Sequence, residues 1–383
     1  MKFNKKKIVL LSSSLAGGGA EGVCVNIANG LSNRGWSVDL LVLNLKNEVY
    51  LNRLSKDVNL VVFDKSKTRF SSISLLKYIF KNKPKVIMVF NYELSVMLII
   101  LRLLFRVNFK IISRNSSTLS IRIKEFQTKN FWAKYFIGPL IKYLYQNIDH
   151  VINQCEGMRD DLVEVHPKLY QKSSVIYNPI AAHIVDYVNS NDINKIKKEN
   201  YLLCVGRLEA VKAFHYAIES FSQIAEIVPD LRLKIVGKGS LENQLKQKAK
   251  EFSVSDRIDF EGFKSNIIPY YIHAKATILT SIYEGYPNSL IESIFLGTPV
   301  LSFDCKSGPD EIIKNNVNGY LVKYQDIEDL KNKMLMILNT TFKREEMILT
   351  VSKNQNQYVN DLYEKIIIKF DETILIPANQ KNQ

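Results

Sequence analysis

The sequence predicts an α/β protein of two tandem Rossmann-like domains, each a parallel sheet with helices on both faces. Three observations predict it. The chain has 383 residues, the length of about two domains. Short β-rich runs alternate with amphipathic helical stretches along most of it, as in repeated βαβ units. The alternation stops once, over a polar stretch at 179–200, and then begins again.

In the first half, strands are expected at 8–12, 38–43, 58–63, 86–90, 110–113, 150–153 and 175–177. Helical patterns fall near 20–34, 71–82, 94–106, 129–147 and 156–165. Runs such as Ile8-Val9-Leu10-Leu11 are apolar at every position, which suits strands covered on both faces. The stretch 179–200 opens with Pro179, contains no clear strand and reads as a connection. Strands then recur at 201–205, 233–236, 258–260, 276–280, 300–303 and 319–322. The expected organisation is a first domain at 1–180, a linker at 181–200, a second domain at 201–345 and a C-terminal helical segment at 346–383. The polar end of that segment, 371–383, is expected to be mobile.

Composition bounds the function. Hydrophobic residues make up 46% and charged residues 23%, ordinary for a globular protein with full cores. Cys24, Cys155, Cys204 and Cys305 are far apart and form no C-x-x-C. They read as small buried apolar residues rather than a disulfide framework or a metal site. The apolar run behind Lys5-Lys6-Lys7 is too short for a signal peptide, and Arg102 and Arg106 interrupt the longest apolar stretch. No membrane span is therefore expected, since one needs about 20 apolar residues. The net charge is +14, and all of it lies in residues 1–190, which hold 27 basic and 13 acidic residues. A basic half beside a neutral half points to an anionic partner that touches one domain only.

Gly17-x-Gly19-x-x-Gly22 follows the first strand and has the spacing of a dinucleotide-binding turn. Such a site needs an acid at the carboxyl end of the second strand, for the ribose. Asp39 lies at the start of that strand and Asn44 stands at its end, so the fingerprint is incomplete. The turn Gly17-Gly18-Gly19 can still bring backbone N–H groups close to an anion or a sugar. A tight turn without a ligand is the other reading.

The second half carries more chemistry. Gly206 and Arg207 follow a strand and Lys212 precedes a helix, so two cations share one strand-to-helix loop. At the carboxyl edge of a parallel sheet they suit a diphosphate; as single residues they are equally solvated charges. Glu284 follows another strand, and Glu292 comes eight residues later in the first turn of the next helix. Carboxylates accept two hydrogen bonds each and suit sugar diols. Ser289-x-x-Glu292 is also a capping box, the competing reading of Glu292.

Taken together, Glu284-x7-Glu292, Gly206-Arg207-x4-Lys212, Val236-Gly237-Lys238-Gly239, Gly297-Thr298-Pro299-Val300 and Ser307-Gly308-Pro309-x-Glu311-Ile312 resemble the retaining glycosyltransferases of family 4. The resemblance runs over about residues 7–340. It implies the GT-B fold, two Rossmann-like domains facing across a cleft, and transfer of a hexosyl group from a UDP- or GDP-sugar to a hydroxyl. By the resemblance, Arg207 and Lys212 bind the donor diphosphate, Glu292 holds the ribose and Glu284 contacts the transferred sugar. Phe263 and Lys264 face the nucleobase, and Gly17, Gly18 and Gly19 approach the donor from the first domain. Tyr286, Asn288, Ser289 and Leu290 direct N–H groups at the sugar phosphate. Many relatives carry a histidine or an acid after the fifth strand. Here that loop reads Ser113-Arg114-Asn115-Ser116, so a sugar or acceptor contact is expected of Arg114 or Asn115.

The resemblance further implies front-face departure of the diphosphate with retention. No cofactor is expected, and no metal either, because no D-x-D or His/Cys cluster is present. The setting it implies is bacterial surface polysaccharide: lipopolysaccharide, O-antigen or capsule. The acceptor is then a glycan or a lipid-diphosphate-linked glycan. The basic, apolar stretch 94–147 is expected to meet an anionic membrane through Arg102, Arg106 and Lys110, which puts the protein peripherally on the cytoplasmic face of the plasma membrane. Two other classes compete: a nucleotide-dependent oxidoreductase and a basic nucleic-acid-binding protein. The chain has no nucleic-acid-binding signature, and nucleic acid is not an expected partner.

Overall fold

A computed structural model of the chain describes residues 6–371 apart from Gly17, Asn47, Ser66, Lys67, Lys129 and Asn130. It divides into two compact units: unit 1 is Met1–Pro179 with Asn356–Gln383, and unit 2 is Ile180–Gln355.

Among the described residues, unit 1 holds a seven-stranded parallel sheet. Its strands are β1 (Lys7–Ser12), β2 (Ser37–Val42), β3 (Asn59–Val62), β4 (Val86–Val89), β5 (Lys110–Arg114), β6 (His150–Asn153) and β7 (Ser173–Val175). Their order is β3-β2-β1-β4-β5-β6-β7, so the sheet winds outward in both directions from the β1/β4 pair. In β1, Val9 and Leu11 enter one core cluster while Ile8 and Leu10 enter the other. This division accounts for an apolar residue at every position, since alternate side chains fill opposite faces.

Unit 2 repeats the plan with β8 (Tyr201–Val205), β9 (Arg232–Val236), β10 (Ile258–Gly262), β11 (Ala276–Leu279), β12 (Val300–Phe303) and β13 (Gly319–Val322). Here the order is β10-β9-β8-β11-β12-β13, with the reversal between β8 and β11. Ligands of open parallel sheets bind outside the carboxyl ends of the strands at such a reversal.

The structure departs from the expected organisation in three places. The stretch expected as a linker contains a helix, Ala182–Ser190, and belongs to unit 2, as do residues 346–355. The helix Asn356–Phe370 returns to unit 1, where Val359, Tyr363 and Ile367, four residues apart, bury against the β1–β2 side. It lies on the helix Gly19–Ser32 so closely that a Cβ on Gly30 would come within 2.6 Å of the Asn360 side chain. Arg34 binds Asp361 at 2.6 Å and Glu364 at 3.2 Å, and the Trp36 indole donates to Glu364 at 3.0 Å. Third, 129–147 is not one helix. Residues Leu119–Thr128 form a helix of their own, followed by a π turn at Ala133–Ile137, a helix at Gly138–Leu144 and a 3-10 turn at Tyr145–Asn147. The end of the chain expected to be mobile lies, from 372 on, outside the described residues.

Candidate active site

In unit 2 the chain leaves β8 at Gly206 and leaves β9 at Gly237. A Cβ on Gly237 would sit 1.8 Å from the Gly206 carbonyl oxygen, so only glycine lets these two backbones meet. The Gly206 N–H donates to the Val236 carbonyl at 3.0 Å, and the Gly237 N–H to the Gly262 carbonyl at 2.9 Å. The carboxyl edge of the sheet is thereby drawn level across three strands. From it Arg207 projects into solvent. Glu209 accepts from the Ser240 N–H at 3.1 Å and from its hydroxyl at 2.9 Å, bonds that hold its carboxyl below the usual range and fix the loop after β8 to the loop after β9.

Lys212 ends a short 3-10 turn, Ala210–Lys212. Its ammonium lies 2.5 Å from Glu284 Oε1, with the two side chains 18% and 14% exposed. The Ser281 hydroxyl donates to the same oxygen at 2.6 Å. One backbone and one side-chain bond join the two loops as well: Ile282 N–H donates to the Val211 carbonyl at 2.8 Å, and the Thr280 hydroxyl to the Lys212 carbonyl at 3.0 Å. The two loops that flank the β8/β11 reversal are thus tied together, and the pair Lys212–Glu284 stands where they meet. Among the described residues, the Lys212 and Ser281 bonds to Glu284 both fall on Oε1. Burial, reinforced by the nearby Glu284 carboxylate, pushes the Cys305 thiol up to about 12, so it stays protonated beside this pair.

The helix Asn288–Phe295 begins directly after this loop. Its N-cap is Pro287, without a side-chain cap. Ser289 is therefore already inside the first turn, and the capping-box reading of Ser289 and Glu292 is not realised. Glu292 is half-buried one turn along, where the Tyr271 hydroxyl donates to its Oε2 at 3.4 Å. Leu290, Ile291 and Ile294 hold the helix in the core, and the Ser293 hydroxyl bonds the Thr298 carbonyl at 2.9 Å. Asn288 and Ser289 are part-exposed at the helix start, whereas Leu290 and Tyr286 are buried; the Tyr286 hydroxyl meets Asn354. Tyr286 and Leu290 can offer only their backbone. Gly308, at φ +95°, packs behind this turn, where a Cβ would lie 2.6 Å from the Gly285 carbonyl oxygen. Phe263 and Lys264 follow β10, farther along the same edge. Phe263 is exposed; Lys264 pairs with Glu261 at 3.1 Å, and hydrogen bonding to Tyr270 and Glu261 raises its pKa. Tyr271 and Ser281 are the two contributors that the motifs did not signal.

In unit 1, Gly17 lies outside the described residues. Gly18 is the N-cap of the helix Gly19–Ser32, and the Glu21 carboxylate folds back over it: a Cβ on Gly18 would meet Glu21 Oε2 at 2.3 Å. The turn thus already carries a carboxylate at its positive helix end. Asp39 is buried, and Tyr78, Asn59 (2.8 Å) and Lys7 (3.0 Å) bind it. Burial by itself would raise its pKa, but these bonds outweigh it and hold the carboxyl below its usual value. Asn44 is engaged with the Lys65 carbonyl and the Lys46 N–H. Neither residue is placed to hold a cofactor ribose. Arg114 and Asn115 point inward. Arg114 is 0% exposed, donates to the Tyr363 hydroxyl at 2.6 Å and binds Asn178; Asn115 binds Tyr145. As placed, neither side chain is open to a sugar. All four cysteines are buried. Among the described residues, no three His, Cys, Asp or Glu side chains converge as metal ligands.

Comparisons with known proteins bear on the family and the fold. A family model described as "Glycosyl transferases group 1" matches residues 188–353, and one described as "Glycosyltransferase Family 4" matches residues 17–183. The chain is 25% identical to the amylovoran biosynthesis glycosyltransferase AmsD of Erwinia amylovora, over 93% of this chain and 97% of that protein. It is 28% identical, over 61% of each chain, to a Campylobacter jejuni enzyme named as an N-acetylgalactosaminyltransferase acting on a diphospho-undecaprenol-linked sugar. Its fold is similar to that of Anabaena HepE solved with UDP-glucose, with a TM-score of 0.73 and 16% identity over 95% of this chain and 99% of that one.

Proposed function

Since the chain belongs to glycosyltransferase family 4 and has the GT-B fold, we propose that it moves a hexose with retention from a UDP- or GDP-sugar to a hydroxyl of a lipid-diphosphate-linked glycan. The Lys212–Glu284 pair at the β8/β11 reversal carries this reading. Two cations for a diphosphate and two carboxylates for hydroxyls stand on loops that the fold ties together.

Arg207, extended into solvent, and Lys212 take the diphosphate. Glu292, steadied by Tyr271, accepts from the ribose hydroxyls. Glu284 accepts from the sugar. The N–H groups at the start of the helix Asn288–Phe295 add positive potential at the phosphate. The backbone beside Phe263 and Lys264 faces the nucleobase. In the reaction the bond from the anomeric carbon to the diphosphate oxygen breaks as the acceptor oxygen bonds to that carbon on the same face. The acceptor proton passes to the departing phosphate oxygen, so no protein base is needed. The site's task is to stabilise charge gathering on the diphosphate, and the cations supply it without a metal ion. No described helix is long and apolar enough to cross a membrane. The diphospho-undecaprenol-linked acceptor in the Campylobacter relative's name supports work at a membrane surface, which we place peripherally on the cytoplasmic face, in assembly of a surface polysaccharide.

The test is a nucleotide-sugar panel offered with an undecaprenyl-diphosphate-linked acceptor, with the anomeric configuration of the product read by NMR in the presence and absence of EDTA. A lipid-linked product of the donor's own configuration, formed equally with EDTA, is expected. An inverted product overturns the front-face assignment, and transfer only to water or to free sugars overturns the lipid-linked acceptor.

A further inference from the structure

Unit 1 presents an apolar face that its own core does not use. The helix Tyr92–Phe105 buries Leu94, Leu98 and Leu101 but leaves Leu103, Leu104 and Phe105 exposed. It packs against the helix Gly138–Leu144. There, in the preceding π turn and at the two residues before it, Phe131, Trp132, Tyr135, Phe136, Leu140 and Tyr143 are 39–65% exposed. The rings are already assembled: Phe131 lies 4.8 Å from Tyr135, and Trp132 lies 4.7 Å from Phe136, between centroids. Ala133, Gly138 and Ile141 take the inward positions. The π turn adds a residue to one turn and so widens the outward apolar stripe.

The charge around this face has one sign. Residues 65–148 contain 16 Lys and Arg and two acids, Glu93 and Glu125, and Arg122 binds both acids. Lys124, Lys134 and Lys142 are exposed, Lys134 over the Tyr135 ring and Lys142 over the Tyr143 ring, and none of the three pairs with a carboxylate among the described residues. Tyr and Trp rings ringed by lysines are the chemistry of the lipid headgroup boundary, where an amphipathic ring has one side apolar and the other wet. A second copy of the chain would set lysines against lysines.

We propose that this face seats unit 1 on an anionic phospholipid bilayer, with Trp132 and the rings around it entering the headgroup boundary and Lys124, Lys134 and Lys142 meeting the lipid phosphates. The proposal builds on the lipid-linked acceptor reading and names the surface that reading lacks.

The two tryptophans make the test direct. Trp36 is buried and Trp132 is exposed. The full chain is mixed with phosphatidylcholine vesicles with and without phosphatidylglycerol. Partition into the anionic vesicles alone is expected, weakened by salt and accompanied by a blue shift of tryptophan emission that Trp132→Phe abolishes. Lys124→Gln, Lys134→Gln and Lys142→Gln together lower partition about a hundredfold, at roughly a factor of five for each lost basic residue. Phe131→Ser, Trp132→Ser and Phe136→Ser together leave only weak attraction. All six positions are exposed, so the melting temperature and the UDP-sugar titration stay unchanged in both variants. Those two controls separate failure of this surface from failure of the transferase reading. The proposal is overturned by absence of partition, by partition that neither triple variant alters, by a dimer in sedimentation that the aromatic variant abolishes, or by basic-face binding to RNA in preference to vesicles.

Discussion

Replacing Lys212 by alanine should produce two losses that can be measured apart. Its ammonium lies 2.5 Å from Glu284 in a place where neither side chain is more than one-fifth exposed. Removing one partner of a fully buried pair costs about 3–5 kcal/mol, because the other charge is stranded. Here Glu284 keeps the Ser281 hydroxyl and some solvent, which brings the figure to about 1–3 kcal/mol. In a unit of this size, that is a fall in melting temperature of about 2–12 °C. Turnover should fall much further, by about 10²–10³-fold, the effect of losing one transition-state contact to a leaving anion. The double variant Lys212→Ala, Glu284→Ala removes the stranded carboxylate, so it should recover part of the melting temperature and none of the turnover. Differential scanning calorimetry and initial rates on one preparation read both quantities. A single variant that melts lower yet turns over within threefold of the parent, or a double variant that recovers both, would refute a role for Lys212 in the chemistry.

Three further outcomes are expected. Glu292→Gln should raise the donor KM with a smaller change in kcat, measured by steady-state kinetics. Gly237→Ala forces a Cβ to 1.8 Å from the Gly206 carbonyl oxygen, so unit 2 should lose several kcal/mol by urea unfolding, beyond the ~1 kcal/mol of an ordinary glycine substitution. Burial, aided by the Lys369 ammonium, pushes the His150 imidazole from 6.5 to about 4. The unfolded chain then binds a proton that the folded one refuses, so stability is full above about pH 6.5 and declines as pH falls toward 4, by up to ~3 kcal/mol. His150→Asn should flatten that slope in urea melts taken across the interval.

What the sequence made legible follows from local chemistry. The strands around the site were readable because a parallel sheet leaves runs such as Tyr201–Val205 apolar at every position, and β7 was displaced by only two residues. The motifs placed Arg207, Lys212, Glu284 and Glu292 on one sheet edge, because each lies in a loop or helix start that follows a strand. They did not show that Lys212 and Glu284 touch, since 72 residues separate them and only the β8/β11 pairing brings their loops together. Tyr271 carries no motif and acts through a long-range hydroxyl. A C-terminal helical segment at 346–383 was expected, but not which unit owns it; the Gly30–Asn360 approach and the Arg34 ion pairs decide that. Arg102 read as a lipid-facing charge, yet it binds Asp149 and the carbonyls of Phe109 and Asn147, so it holds the end of its helix to β5 and β6. The basic character of the stretch was legible from composition, but which cations are exposed depends on tertiary partners.

The central claim is that unit 2 holds a nucleotide sugar through Arg207, Lys212, Glu284 and Glu292. Titration calorimetry with UDP, GDP, their sugar conjugates and NAD, on the parent and on Arg207→Ala, tests it most directly. The account predicts saturable binding of one nucleotide family, weakened at least tenfold in Arg207→Ala, and no heat with NAD. A bound ligand at 100 times its Kd should also stabilise the fold by about 2.7 kcal/mol. Tight binding of NAD with no response to any nucleotide sugar would contradict it.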